Sequence, residues 1–176
     1  VRIPQICREL KEKISAGSPG RNLYSVLGTY DQLENFASEF IGVADSSWNV
    51  RIFSLTDDFI VYLKSKSMLD ELVENERKDR SETVQSNLEK AVKDRLTSLI
   101  RQHDVMLLRD FELLYAYDLS FEFLWEWAKE GKKVVFLIPG EKRGETVYIF
   151  PWSSDTRRVF PRNLLKEEWI WKITEK

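Results

Sequence analysis

The stretch Val105-Met106-Leu107-Leu108-Arg109-Asp110-Phe111-Glu112 decides the fold class of this chain of 176 residues. Its four consecutive apolar residues are typical of a strand that is covered on both faces, as the inner strands of a parallel sheet are. A second apolar run of this kind occupies residues 134–138. Segments with helical periodicity lie before and between the two runs, and strands that alternate with helices indicate a mostly parallel sheet with helices on both faces.

The N-terminal part of the chain adds helices and strands to this sheet. Apolar residues at steps of three and four predict a helix over residues 3–14. A short apolar strand follows at residues 23–27 and ends at Gly28, a helix covers residues 31–40, and a second strand covers residues 49–55. We therefore predict a three-layer α/β domain with an extra N-terminal helix.

The middle of the chain is predicted to be helical. Thr56 has a side chain suited to be the N-cap of the helix that follows the second strand. Asp79 and Glu82 have the spacing of a capping box, ahead of an apolar helical period over residues 84–100. Residues 119–130 are rich in aromatic side chains and are predicted to form one further helix.

The region after the second apolar run is predicted to be a turn followed by short strands. Pro139 has no N–H group to pair and precedes Gly140, so the strand is expected to end there. Residues 139–144 are predicted to be a rigid, exposed turn. An antiparallel return strand over residues 145–150 and an edge strand near residues 169–171 complete the expected sheet.

Composition excludes several classes of protein. The length fits one domain over residues 1–176. The 27 basic and 29 acidic residues give a net charge of −2, which argues against a uniformly basic coat for nucleic acid. Cys7 and His103 are the single cysteine and histidine, so no internal disulfide and no Cys/His zinc site can form. No apolar run approaches the ~20 residues of a membrane span. We expect a cytoplasmic protein without a cofactor.

The turn after the first strand indicates whether the chain binds a nucleotide. A phosphate loop at this place has the pattern Gly-x-x-x-x-Gly-Lys-Ser/Thr, whose backbone N–H groups and lysine hold the phosphates. Residues 28–32 read Gly-Thr-Tyr-Asp-Gln instead. They contain one glycine and no lysine, and Asp31 stands where a cation belongs. We therefore predict that the turn does not bind ATP.

The acidic residues after residue 108 give a second indication about nucleotide binding. Four apolar residues followed by acids have the form of a Walker-B strand, in which the first acid holds Mg²⁺. Arg109 occupies the position of that acid, and Asp110 comes one residue late. We favour a surface ion pair between Arg109 and Asp110. A pair of carboxylates from Asp110 and Glu112 for acid–base chemistry remains the alternative.

The C-terminal quarter of the chain is locally basic. Residues 131–176 contain 10 basic and 6 acidic residues, and aromatic residues lie among them. Basic side chains beside exposed aromatic rings suit either single-stranded nucleic acid or an acidic protein surface. The candidate binding residues are Lys142, Arg143, Arg157, Arg158, Arg162, Trp152 and Phe160.

Three blocks of sequence resemble one known group of proteins. They are the apolar run with Glu112-Leu113-Leu114-Tyr115, the segment Val134-Val135-Phe136-Leu137-Ile138-Pro139-Gly140-Glu141 with Gly144, and Ser154-Asp155-Thr156-Arg157-Arg158-Val159-Phe160. Together these blocks resemble the small accessory proteins of the BREX phage-defence systems, of the BrxF and BrxB types. The likeness covers about 60 residues.

This resemblance implies a degenerate P-loop-like, AAA-like core that serves as a structural component of an antiviral defence complex. BrxF-type proteins carry an intact phosphate loop, which residues 28–32 lack, whereas BrxB-type proteins do not. The expected function is therefore a non-enzymatic interaction subunit with protein partners. Two alternatives remain open: a nucleic-acid-binding protein that uses the basic C-terminal part, and a divergent P-loop nucleotide hydrolase that uses Asp110 and Glu112.

Overall fold

The fold is organised around a sheet with two kinds of strand pairing. A computed structural model describes residues 1–17, 22–128, 131–151 and 158–174. Its helices are α1 (Ile3–Ala16), α2 (Tyr30–Val43), α3 (Asp57–Ser65), α4 (Leu69–Arg77), α5 (Ser81–Gln102), α6 (Glu112–Ala116) and α7 (Leu124–Ala128). Its strands are β1 (Leu23–Gly28), β2 (Val50–Ser54), β3 (Val105–Arg109), β4 (Lys133–Arg143), β5 (Thr146–Ile149), β6 (Arg158–Val159) and β7 (Ile170–Lys172).

The main part of the sheet is parallel and has the order β2-β3-β4-β1-β7. β1 therefore lies between two strands that come much later in the chain, and Leu23 pairs with Val134 on one side while Ser25 pairs with Ile170 on the other. β5 and β6 add an antiparallel extension to the end of β4. The predicted mostly parallel sheet is confirmed.

Helices cover both faces of this sheet. One apolar core contains residues from α1, α2 and one face of the central strands, together with Trp169 and Trp171. The other core contains residues from α3 to α7 and the opposite face of the same strands. The apolar residues of β3 alternate between the two cores, because successive side chains of a strand point to opposite faces. The α/β architecture with flanking helices, including the extra helix before β1, agrees with the prediction.

The strand β4 corrects the prediction of a turn at Pro139 and Gly140. Both residues are buried and lie within β4, which continues to Arg143. Pro139 is the point at which the strand changes partners, since its register partner is Gly28 in the parallel sheet whereas Gly140 pairs with Ile149 in the hairpin. The turn itself falls at Gly144, so the predicted turn over residues 139–144 is wrong for most of its length.

Two other predicted helix signals are also wrong. Thr56 stands at the start of α3 but makes no side-chain cap; the hydroxyl of Ser54 accepts the N–H of Asp57 at 2.9 Å instead. Asp79 has a φ of 55°, and α5 begins without the capping box that Glu82 would complete.

Of the aromatic segment predicted as one helix over residues 119–130, the structure describes residues 119–128, and only the second half of these is helical. The segment begins with turns, and the five-residue helix α7 (Leu124–Ala128) is the helical part of the described residues there. Phe121 packs edge-on against Phe160 with ring centroids 5.4 Å apart. Aromatic packing between distant segments therefore holds this region, rather than a helical period.

Candidate functional site at the carboxyl edge of the sheet

The candidate site lies where the carboxyl ends of β1, β3 and β4 meet. α2 follows β1 on one face of the sheet, whereas α6 follows β3 on the other face, and β4 lies between these two strands. Open α/β sheets bind their ligands in the crevice at such a switch point. A cleft of about 210 Å³ opens there, lined by Tyr30, Asp31, Leu33, Glu34, Arg109, Asp110, Leu137 and Pro139.

Two contacts between α2 and the end of β3 span this cleft. The hydroxyl of Tyr30 donates a hydrogen bond to Oε1 of Glu112. The guanidinium of Arg109 forms an ion pair with the carboxylate of Glu34. We call these two contacts the clasp. Because both join the N-terminal half of α2 to the segment around β3, the clasp holds the crevice narrow.

The start of α2 is occupied by its own capping interactions. The side chain of Thr29 accepts the N–H of Gln32 at 3.3 Å, and the side chain of Gln32 accepts the N–H of Thr29 at 2.9 Å. A phosphate bound at a helix N-terminus needs free N–H groups of this kind. The capping box therefore takes up groups that a phosphate loop would offer to a nucleotide.

Asp110 is held in an unusual conformation by its neighbours. Its φ is 58°, in the left-handed region that few residues other than glycine adopt. Its Oδ2 atom lies 3.2 Å from Nε of Arg109, which confirms the predicted ion pair between these two residues. Its backbone carbonyl accepts a hydrogen bond from the hydroxyl of Thr56 at 2.9 Å. Thr56 thus fixes this turn instead of capping α3.

The electrostatics of the site disfavour further negative charge. Burial raises the pKa of the Asp110 carboxyl, and the nearby carboxylates of Glu112 and Asp57 act in the same direction, against a hydrogen bond from Ser54 and the charge of Arg109. Burial and the hydrogen bond to Glu112 also raise the pKa of the Tyr30 hydroxyl. A phosphate group would add charge to carboxylates that already repel one another.

The arrangement also lacks the parts of a metal centre. Within residues 1–17, 22–128, 131–151 and 158–174, no group of three or more histidine, cysteine, aspartate or glutamate side chains is placed to hold a metal ion. Asp110 and Glu112 come to the same edge, as the sequence suggested, but Glu112 is engaged by Tyr30. Oε2 of Glu112 is buried and has no hydrogen-bond partner among the described residues.

Of the predicted basic residues that the structure describes, Lys142 and Arg162 line one small cavity, which they share with Glu145 and Glu167. Lys142 pairs with Glu167, Arg143 with Glu141, and Arg162 with Glu145 at 2.6 Å. Arg158 lies over the ring of Tyr115. Acidic neighbours thus neutralise much of the charge that the sequence suggested for nucleic acid.

Of the two aromatic residues in that predicted set, the structure describes Phe160, and this residue does not line the surface as expected. Phe160 is fully buried and packs against Phe111, Phe121 and Phe136, so it is a core residue. Trp152 and Arg157 lie outside the described residues. The single cysteine, Cys7, is buried, and Nδ1 of the single histidine, His103, lies 2.8 Å from the carbonyl oxygen of Leu99 at the end of α5.

Sequence reasoning missed Tyr30, Glu34 and Ser54 as members of the site. Tyr30 and Glu34 follow β1 at the carboxyl edge of the sheet, and Ser54 ends β2 at the same edge. Their position at the ends of predicted strands was the sequence signal that could have placed them in the site. Their contacts with Arg109, Asp110 and Glu112 could not be anticipated without the strand order.

Comparisons with known proteins add no identification. No protein-family model, no curated protein sequence and no solved structure gives a significant match to the chain. None of the helices in the described ranges is long and apolar enough to cross a membrane.

Proposed function

We propose that the chain is a non-enzymatic interaction subunit of a prokaryotic antiviral defence complex of the BREX type, built on a degenerate P-loop-like fold. The clasp is the observation that carries this proposal. It narrows the crevice at which an active relative of such a fold would hold its nucleotide, and it uses Arg109 at the position of the metal-binding acid.

The size of the cleft supports the proposal. Pockets for small molecules and cofactors usually measure about 300–1,000 Å³. The cleft of about 210 Å³ is smaller, and its polar lining is mostly acidic. A domain that keeps its sheet but has lost its nucleotide site is suited to present surfaces to protein partners. The resemblance to BREX accessory proteins supplies the kind of complex, and its partners remain to be identified by experiment.

The absence of nucleotide binding is the first testable consequence. Titration of the purified chain with ATP and Mg²⁺ in a calorimeter is expected to show no binding at micromolar concentrations, because the carboxylates repel phosphate and the capping box occupies N–H groups. Micromolar binding that Asp110→Ala or Glu112→Ala abolishes would contradict the proposal and favour a nucleotide hydrolase.

The defence role is tested by phage challenge of a host strain that lacks this gene. We expect the wild-type chain to restore protection, and Glu112→Gln, which keeps a hydrogen-bond acceptor for Tyr30, to restore it equally. If protection is lost with a stably folded Glu112→Gln chain, the carboxylate has a chemical role. If the deletion strain resists phage as well as the parent, the defence role is wrong.

A further inference from the structure

The outer edge of β2 has backbone groups that no described residue pairs with. β2 is the terminal strand of the parallel sheet and has β3 as its neighbour on one side. The N–H of Leu55 donates to the carbonyl of Arg109, the last residue of β3, so the backbone N–H of Leu55 points inward. Because alternate residues of a strand point their backbone groups to opposite sides, Val50, Ile52 and Ser54 point outward.

One end of this edge is already capped. The outward N–H of Ser54 donates to Oδ2 of Asp58 at 2.9 Å. The N–H and C=O groups of Val50 and Ile52 form no hydrogen bond with any described residue on that side. Four backbone groups are therefore free to pair with an added strand, as in the binding mode in which an extended peptide extends a sheet.

Two arginines that pair with no carboxylate of the described residues lie on the side of β2 to which Phe53 points. Phe53 of β2 belongs to the core beneath α3 and α5, and Arg51, two residues away in the strand, points to the same side. The guanidinium of Arg95 in α5 lies 5.8 Å from the ring centroid of Phe53 and 5.1 Å from that of Tyr62. No carboxylate of the described ranges lies within ion-pair distance of Arg51 or Arg95.

One donor of the Arg95 guanidinium forms no hydrogen bond with the described residues. Its Nε atom is buried without a hydrogen-bond partner among the described residues. An arginine stacked on aromatic rings is pre-organised, so its planar fork can bind a carboxylate with little further loss of freedom. Arg51 and Arg95 supply positive charge on one face of β2, and Asp58 occupies the outward N–H of Ser54 at the end of the strand. An occupant with negative side chains fits the remaining part of this edge.

We propose that the outer edge of β2 binds an extended segment of a partner protein that carries acidic side chains. The segment pairs with the backbone of Val50 and Ile52, and its carboxylates meet Arg51 and Arg95. This inference rests on the proposed function, because it describes how an interaction subunit would hold one partner. Exposed sheet edges commonly carry charged side chains that prevent unwanted strand pairing. Here the positive side chains favour a partner segment with negative charge.

A synthetic peptide tests this proposal directly. The probe is a seven-residue peptide that alternates valine with glutamate, capped at both ends and labelled for fluorescence anisotropy with the full chain. We expect it to bind and its lysine counterpart not to bind. Methylation of the peptide's backbone nitrogens on the pairing side is expected to weaken binding about tenfold or more, since it removes donors and leaves the protein unchanged.

Variants of the protein separate the backbone and charge contributions. Val50→Pro is expected to weaken peptide binding about tenfold, whereas Val50→Ala changes it little, because proline removes an outward N–H that an edge strand does not need for its own ladder. The double variant Arg51→Gln, Arg95→Gln is expected to weaken binding about tenfold. The matched control Arg8→Gln, Lys13→Gln removes the same charge from α1, in the opposite helical layer, and is expected to have little effect.

Three outcomes would overturn the proposal. The first is no binding of the acidic peptide, or equal binding of the lysine peptide. The second is binding that backbone methylation leaves unchanged. The third is a wild-type dimer that Val50→Pro converts to a monomer in sedimentation velocity, which would make a second copy the occupant. Each result is independent of the ATP titration and of the phage challenge, so failure here and failure of the proposed function are distinguishable.

Discussion

Asp110 shows how one residue departs from what a nucleotide-binding strand requires. Arg109 occupies the expected acid position, so the first carboxylate after the strand comes one residue later and sits in a left-handed turn. Ser54 and Thr56 hold that turn from the neighbouring strand end. The carboxylate is thus fixed by protein groups on several sides. Its burial there makes the ionised form less favourable, which is the cost of this position.

This cost predicts a pH dependence that can be measured. The pKa of Asp110 is raised in the folded chain, so between its ordinary value and the raised value the folded state binds more protons than the unfolded state. The free energy of unfolding contributed by this group therefore falls as pH rises through that window. The ordinary pKa of an aspartate side chain is about 4. The Asp110→Asn variant has no carboxyl group to ionise at this position. We therefore expect its free energy of unfolding, measured in urea, to increase relative to that of the wild type between pH 3 and pH 7.

Asp45→Asn provides a control of opposite sign. Hydrogen bonds from the hydroxyl and the N–H of Ser47 lower the pKa of Asp45. Its contribution to stability is present above the ordinary pKa and is lost as pH falls through the lowered one. The stability of Asp45→Asn relative to the wild type should therefore decrease as pH rises. Parallel pH profiles for Asp110→Asn and the wild type would contradict the assignment of a raised pKa.

For single residues, the sequence shows which side chains are present but not which distant side chains are in contact. The ion pair of Arg109 and Asp110 was predictable because the two are neighbours in the chain. The bond between Tyr30 and Glu112 joins residues far apart in sequence, and only the order of the strands brings them together. The burial of Phe160 was missed for the same reason, since its ring partners come from three other segments.

Among the elements, β4 departs furthest from the local sequence signal. Its eleven residues pair first with the parallel strands β1 and β3, one on each side, and then with the antiparallel strand β5. The Pro139-Gly140 pair normally ends a strand. Here Pro139 stands where the partner changes, and its carbonyl accepts the N–H of Phe150 at 2.9 Å. Gly140 is required because the backbone of β5 approaches it closely.

A side chain at residue 140 is therefore expected to destabilise the fold. A Cβ atom there would lie 2.2 Å from the carbonyl oxygen of Tyr148, which is backbone and cannot move aside cheaply. We expect Gly140→Ala to lower the free energy of unfolding by about 1–3 kcal/mol in urea denaturation. Gly42→Ala in α2 is the control, because no atom lies within 4 Å of the added methyl group and alanine favours a helix. Equal stabilities of the Gly140 and Gly42 variants would refute the close approach.

The long elements were the predictable ones. α1, α2 and α5 follow continuous apolar periods, and β3 is marked by an unbroken apolar run, so local sequence suffices for them. The short helix α6 was not predicted, and α7 covers only part of the helix predicted over residues 119–130, because five residues carry less than two turns of periodicity. Their positions depend on packing against residues that are distant in the chain.

In the whole molecule, two apolar cores share the central strands. The residues of β1, β3 and β4 contribute side chains to both cores, so loss of one core removes support from the other. The strand order that creates this sharing was not predictable, because periodicity identifies strands without saying which of them are neighbours.

Shared strands predict cooperative unfolding of the whole chain. Leu10 of α1 is fully buried in one core, and Leu10→Ala is expected to lower the free energy of unfolding by about 2–5 kcal/mol. Unfolding of the wild type and of this variant should give coincident transitions by far-ultraviolet circular dichroism and by tryptophan fluorescence. Two separated transitions in either chain would show that the cores are independent units.

The position of β1 between β4 and β7 has a consequence during synthesis on the ribosome. β1 cannot pair with its parallel neighbour β4 until Val134 has been synthesised, about 110 residues after Leu23. At the usual rate of about 5–20 residues per second, this delay is on the order of ten seconds. During that time a buried apolar strand of the finished protein is exposed on the nascent chain. We therefore expect codons that slow translation ahead of residue 134 to lengthen this exposure.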